Sequence, residues 1–217
     1  MNAVFYVVLP ILLIGGAMTS STPFVPGEVL VHFVSGSAGN NALEKAIHVT
    51  PPDLQALASV VEELQAATHF PLKASRGASG NWVVLNVEPG PLADRAAGIL
   101  RVRKNIESVE VVTLEPPPQG LAPGPKGLRI RFTSRSPESI IVSKKMSGAE
   151  KKRFTRLVSE LSEALDLPLK GYVRERDRLL LEIDLMALTP ILVERLKALP
   201  DVEFAQPNYR AGFRSSP

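Results

Sequence analysis

Three histidines, His32, His48 and His69, are the only imidazoles in the sequence, and no two stand at the spacing of a helical ligand pair. There is no cysteine, which excludes disulfides, thiolate catalysis, iron–sulfur ligation and a lipid-modified N-terminal thiol. A Gly-x-Ser-x-Gly elbow, a phosphate-binding glycine loop and a paired His–carboxylate metal spacing are missing as well. His32, flanked by Val31 and Phe33, reads as a surface residue on the opposite strand face. The expectation is a non-enzymatic protein with no cofactor and no metal.

What remains is main-chain recognition. Leu196-Lys197-Ala198-Leu199-Pro200-Asp201-Val202-Glu203-Phe204-Ala205-Gln206-Pro207-Asn208-Tyr209 reads as the last turn of a helix, a tight turn, a short strand and an extended exit. Leu196 and Leu199 share a helix face, and Pro200 stops that helix. Val202 and Phe204 alternate with Glu203, the period of a half-buried strand. Pro207 lacks an N–H, so the strand ends there or runs on as an edge. Trp82 and Phe204 read as core or sheet-face packing. Tyr209 reads either as a docking anchor or as a cover for its own sheet edge.

These residues need a scaffold, and the sequence supplies it twice. The first copy begins with a strand, Glu28–Val34, after Pro26-Gly27. Asn41–Val49 is ambiguous. Thr50-Pro51-Pro52-Asp53 starts a helix over Asp53–Thr68, with Leu57, Val60, Val61, Leu64 and Ala67 on one stripe. Strands follow from Pro71 and over Asn81–Glu88, then a helix over Leu92–Lys104 and a strand over Val109–Leu114. The second copy runs from strand Gly127–Phe132 through a capping box at Ser147–Glu150 and a helix over Glu150–Leu165. Strands from Pro168 and over Arg178–Asp184 come next, then a helix capped at Thr189-Pro190, and Val202–Gln206 closes the unit. Pro71-Leu72-Lys73 recurs as Pro168-Leu169-Lys170 at an offset of 97, and Val61, Glu63, Leu64 and Ala67 recur unchanged at 158, 160, 161 and 164. Caps, stripe and strand entries coincide, so we read a tandem duplication.

The order strand–helix–strand–strand–helix–strand folds as a four-stranded antiparallel sheet with both helices on one face. The fold class expected is therefore α+β, with two tandem ferredoxin-like (βαββαβ) domains over 24–115 and 127–210. A Pro-rich linker, 116–126, joins them, and a tail, 211–217, follows. The uncovered sheet faces need polar side chains or a partner. RNA-recognition domains share this order but need aromatics on the central strands. Asn81–Glu88 offers only Trp82 and Arg178–Asp184 none, so nucleic acid is not an expected partner. A metabolite-binding module of this order remains open.

The exit string resembles the end of the propeptide domains of subtilisin-like serine peptidases, where a "leu-x-x-leu-pro-x-val-glu" turn and a last strand lead to a "glu/gln-pro-asn-tyr" exit. The opening Pro26-Gly27-Glu28-Val29-Leu30-Val31 is similar to the start of such prosegments. The resemblance covers most of 24–115 and 126–210. It is stronger in the second copy, because the first exits as Thr113-Leu114-Glu115-Pro116. It implies that the open sheet face of the second copy docks on a peptidase. It also implies that Phe204, Gln206, Pro207, Asn208, Tyr209 and Arg210 bind it, the exit lying in the substrate cleft as an added strand. No Asp-Ser/Thr-Gly, His-Gly-Thr or Gly-Thr-Ser-Met-Ala block of the peptidase itself occurs, and Gly16-Ala17-Met18-Thr19-Ser20 matches the last only in composition. An inhibitor or folding helper of a subtilisin-like peptidase is the expectation. A cell-envelope binding or structural module is the alternative.

Residues 3–18 are an uncharged apolar run, short for a membrane span and suited to the apolar region of a secretory signal, although no Lys or Arg precedes it. A cleaved signal, an uncleaved anchor and a buried strand are the three readings of 1–23. The first two place the protein outside the cytoplasm, in the envelope or secreted; a monomer is the separate expectation for its oligomeric state. Charge is asymmetric: 7 basic and 10 acidic residues over 24–115, against 18 basic and 12 acidic over 126–217. A basic second half suits an acidic partner or a solvated surface.

Overall fold

A computed structural model describes residues 24–47, 54–78, 82–114, 126–143, 147–175 and 178–209. Alternation builds its strands. In β1 (Phe24–Phe33), Val29, Val31 and Phe33 are buried while Leu30 and His32 between them are only half-buried, which is the period of a sheet with one covered face. The same holds for β5 (Lys126–Phe132) and β7 (Arg178–Ile183), while in β3 (Trp82–Val87) Val83, Val84 and Leu85 are all buried and only Trp82 and Asn86 are half-buried. β2 (Leu72–Ala78), β4 (Ile106–Thr113), β6 (Leu169–Glu175) and β8 (Val202–Tyr209) complete the strands. The helices are α1 (Ala38–Ile47), α2 (Ala58–Thr68), α3 (Pro89–Arg101), α4 (Pro137–Ser143), α5 (Gly148–Leu165) and α6 (Leu185–Lys197).

The duplication extends to the helix ends. α5 opens on the expected capping box, Ser147 and Glu150 each accepting the other's backbone N–H. Its stripe of Phe154, Leu157, Val158, Leu161 and Leu165 is buried. α2 and α5 both end in a left-handed residue, His69 (φ 61°) and Asp166 (φ 50°), which stand at the same offset as the two Pro-Leu-Lys strand entries. After each strand pair the chain is pinned alike: Glu88 N–H donates to Pro71 O and Asp184 N–H to Pro168 O, both at 2.9 Å.

Beyond that point the halves part from the expected arrangement. The molecule is α+β with two four-stranded antiparallel sheets, ordered β2-β3-β1-β8 and β4-β5-β7-β6. Val202–Gln206, expected to close the second copy, pairs with β1 of the first: Val31 lies opposite Ala205 and Phe33 opposite Val202. Reciprocally, β4 pairs with β5, from Thr113 opposite Lys126 to Ile106 opposite Phe132. The preceding helices go with their strands. α6 packs on β8, β1 and α2, and α3 packs on β4 and β5. Each half thus lends its last helix and strand to the other's sheet. Because both copies carry a similar apolar pattern, periodicity alone does not say which arm completes which sheet. Pairing β4 with β5, the strands that flank the Pro-rich stretch, joins sequence neighbours as antiparallel partners.

Several boundaries also differ. α6 starts at Leu185, where the Asp184 side chain caps it by accepting from Ala187 N–H at 3.2 Å. Thr189-Pro190 is therefore no cap, and Pro190 lies inside the helix. Thr189 is buried instead, and its hydroxyl accepts from Gly27 N–H at 2.8 Å while donating to Leu185 O at 2.6 Å. Gly27 reaches it with φ 80°, a left-handed conformation that glycine adopts without strain. The bulge around Gly27 lets β1 start at Phe24, before the expected Glu28. Of the ambiguous Asn41–Val49, residues 41–47 fall in α1 and 48–49 lie outside the described residues; α4 is an element the sequence reading lacks, and a 3-10 turn (Leu54–Leu57) precedes α2. The Thr50 cap, the 1–23 leader, linker residues 116–125 and the 211–217 tail lie outside the described residues. The buried side chains form one hydrophobic cluster drawn from both sheets, including Leu92, Ala96 and Leu100 of α3 and Leu188, Leu192 and Leu196 of α6, all 0% exposed.

Candidate functional site

β1 places β8 and β3 on its two sides, and among the described residues the helices lie on one face of this sheet. That face takes Val29, Val31, Val83, Leu85 and Ala205, all buried. The other face takes the residues between them: Glu28, Leu30 and His32 of β1, Trp82, Val84 and Asn86 of β3, and Phe204, Gln206 and Asn208 of β8.

His32 is the Cα partner of Trp82 on one side and of Phe204 on the other. Two strand spacings, about 9.6 Å, separate β3 from β8, yet the Trp82 and Phe204 ring centroids are 5.7 Å apart at 80°. The two rings therefore lean together over β1, and the Trp82–His32 centroids stand 5.1 Å apart. Edge-to-face and tilted ring pairs contribute about 0.5–1.5 kcal/mol each beyond area burial. A shift of register between His32 and Phe33 brings Glu203 onto this face, where its carboxylate meets His32 Nδ1 at 3.0 Å. Phe204 stays 45% exposed, so the cluster presents an aromatic surface with an imidazole–carboxylate pair at its rim.

The second sheet's open face is of another kind. Arg129 pairs with Glu110 at 3.2 Å and Arg131 with Glu107 at 3.3 Å. Tyr172 Oη donates to Glu182 at 3.1 Å and Lys170 pairs with Asp184 at 3.0 Å. The hydrogen bond to Asp184 raises the Lys170 pKa above its ordinary value. Burial, followed by the bond to Glu182, raises that of Tyr172. A face of paired charges is satisfied by itself and by water.

The exit segment does not leave its sheet at Pro207. β8 is an edge strand, so Pro207 continues it opposite Val29. Gln206 lies opposite Leu30. Asn208 is buried and its Nδ2 donates to Glu28 at 2.6 Å. Tyr209 lies opposite Phe24 with the rings edge to face at 6.3 Å and 87°, and stays 47% exposed. Arg210 lies outside the described residues. The structure brings Phe204, Gln206 and Asn208 onto one face. It sets them on the sheet of β1 and β3, which corrects the expectation that this segment belongs to a sheet of the second copy alone. His32 and Trp82 complete the cluster. Alternation puts His32 on a sheet face and leaves Trp82 as core or sheet-face packing, and nothing in the sequence makes β8 the neighbour of β1.

Among the described residues, no group of three or more His, Asp or Glu side chains is placed to hold a metal ion, and no helix is long and apolar enough to cross a membrane. No family model, curated protein or solved structure matches the chain.

Proposed function

We propose that this chain is an exported, non-catalytic, propeptide-like protein that inhibits a subtilisin-like serine peptidase or assists its folding. It docks through the open face of the β2-β3-β1-β8 sheet. Each sheet with its helices is read as a ferredoxin-like domain whose last helix and strand come from the other half. The strand order, with the closing strand beside the first, supports that reading. The observation that carries the docking role is the contrast between the two open faces. One is neutralised by its own ion pairs. The other exposes Phe204 against Trp82 and His32, beside an edge strand that ends in the Gln206-Pro207-Asn208-Tyr209 string. Aromatic residues on a rigid, helix-backed sheet suit a protein interface. The unpaired edge of β8 suits strand addition only before Pro207, where the donor is lost.

The test is inhibition of a panel of subtilisin-like peptidases by purified residues 24–217. Phe204→Ala and Trp82→Ala should each weaken inhibition tenfold or more. Both rings lie on a solvent-facing surface, so each change should cost only about 1–2 kcal/mol of folding stability. A folded protein that is degraded by every member of the panel without inhibiting would end the peptidase reading and favour a cell-envelope binding module. Residues 126–217 alone should not inhibit, because they lack β1 and β3.

A further inference from the structure

We propose that the two halves are interlocked by their exchanged helix–strand arms. A cut between β4 and β5 then leaves one folded particle, and each half is a specific receptor for the other's arm.

Each arm is rooted where the chain leaves its own sheet, by the equivalent bonds Glu88 N–H to Pro71 O and Asp184 N–H to Pro168 O. It then enters the other sheet completely. Leu100 of α3 and Leu196 of α6 are both 0% exposed, and each arm ends in a strand that pairs with the first strand of the receiving sheet. Polar bonds that cross between the halves fix the fit. Gly27 N–H donates to Thr189 Oγ1, Arg195 donates to Thr68 O at 2.8 Å, and Asn208 donates to Glu28. Pulling the halves apart would strip a helix and an edge strand from both sheets at once and open one continuous core. The covalent connection between β4 and β5 contributes only effective concentration. The partner each half accepts is defined by chemistry: an apolar-striped helix followed by an edge strand, at the spacing of α3–β4 or α6–β8. For the peptidase role, and resting on that reading, a cut in the Pro-rich linker would leave the docking face whole, since β1 and β3 come from one piece and β8 from the other.

The test uses the full chain with a site-specific protease sequence inserted within residues 118–123. After cleavage, both pieces should elute together at the position of the uncut protein. A second variant adds Leu30→Cys and Gln206→Cys. These are Cα partners across β1 and β8, within reach of a disulfide, in a chain with no other cysteine. On a denaturing, non-reducing gel the cut pieces of this variant should stay joined, and reduction should part them. Pieces that separate on the column, pieces that precipitate on cutting, or a cysteine pair that stays reduced in the intact folded protein would each overturn the interlock. Separated pieces that still inhibit would overturn it while sparing the docking reading. Co-eluting cut pieces of the cysteine-free chain that never inhibit, where the uncut chain also does not, would do the opposite.

Discussion

Arg195 offers the sharpest measure of how the exchange is held. It lies on α6, and its guanidinium makes three contacts at once. Nη1 donates to Thr68 O at 2.8 Å, Nη2 to Asp166 Oδ2 at 2.8 Å, and the group stands 4.6 Å from the centre of the Phe70 ring. Thr68 O lies in the last turn of α2, so the cation also meets the negative end of that helix. A hydrogen bond from a charged donor contributes about 1.5–3 kcal/mol, and a partly exposed cation–π contact about 0.5–1 kcal/mol. The ion pair is worth less than about 1 kcal/mol, because Asp166 is 73% exposed. Contacts that share one side chain do not add in full. Arg195→Met, which keeps an apolar stem over Phe70, should therefore cost about 2–3 kcal/mol, or about 5–10 °C in Tm for a chain of this size. Asp166→Asn should cost less than about 1 kcal/mol, because Asn tolerates the left-handed conformation of this cap. Urea unfolding of both variants reads the difference from the midpoints at constant slope. Equal losses in the two variants, or no loss in Arg195→Met, would refute the reasoning, since Thr68 and Phe70 meet Arg195 only when α6 lies on the first sheet.

Stability should fall as pH rises past about 10, because the folded state raises the pKa of both Lys170 and Tyr172 above their ordinary values of 10.5 and 10.0. Their contribution is fully present below the unfolded values and is lost as pH climbs through the folded ones. Tyr172→Phe should flatten that decline in urea midpoints measured from pH 9 to 11.5, and a flat wild-type curve would contradict it. Gly171→Ala should destabilise by about 1–3 kcal/mol, because a Cβ there meets Val158 and the Phe154 ring where β6 crosses α5; thermal unfolding checks it, and an unchanged midpoint would mean that α5 yields freely. Ser147→Ala should cost about 1 kcal/mol by removing the hydroxyl that accepts Glu150 N–H, and an undiminished midpoint would count against the capping box.

Local elements were legible in the sequence where short-range chemistry sets them. The capping box at Ser147, the stripe of α5, the strand alternation around Val31 and Leu181, and the edge position of Pro207 each follow from backbone geometry and burial within one element. The start of α6 was not legible. Thr189-Pro190 looks like a cap, and only the packing of α6 against β1 turns the Thr189 hydroxyl toward Gly27. The aromatic face was half legible. Alternation assigns His32 to a sheet face and leaves Trp82 as core or face packing, but a cluster needs neighbours, and the neighbour relation between β1 and β8 spans 171 residues at His32 and Glu203. The sequence by itself determined an α+β protein with a repeated strand–helix pattern, two sheets and no cysteine chemistry. Only the tertiary structure decided which copy's last helix and strand complete which sheet. The reason is the duplication: two arms share one apolar period, so periodicity and propensity do not separate the two choices. Long-range pairing, the Arg195 contacts and the connection of β4 to β5 distinguish them.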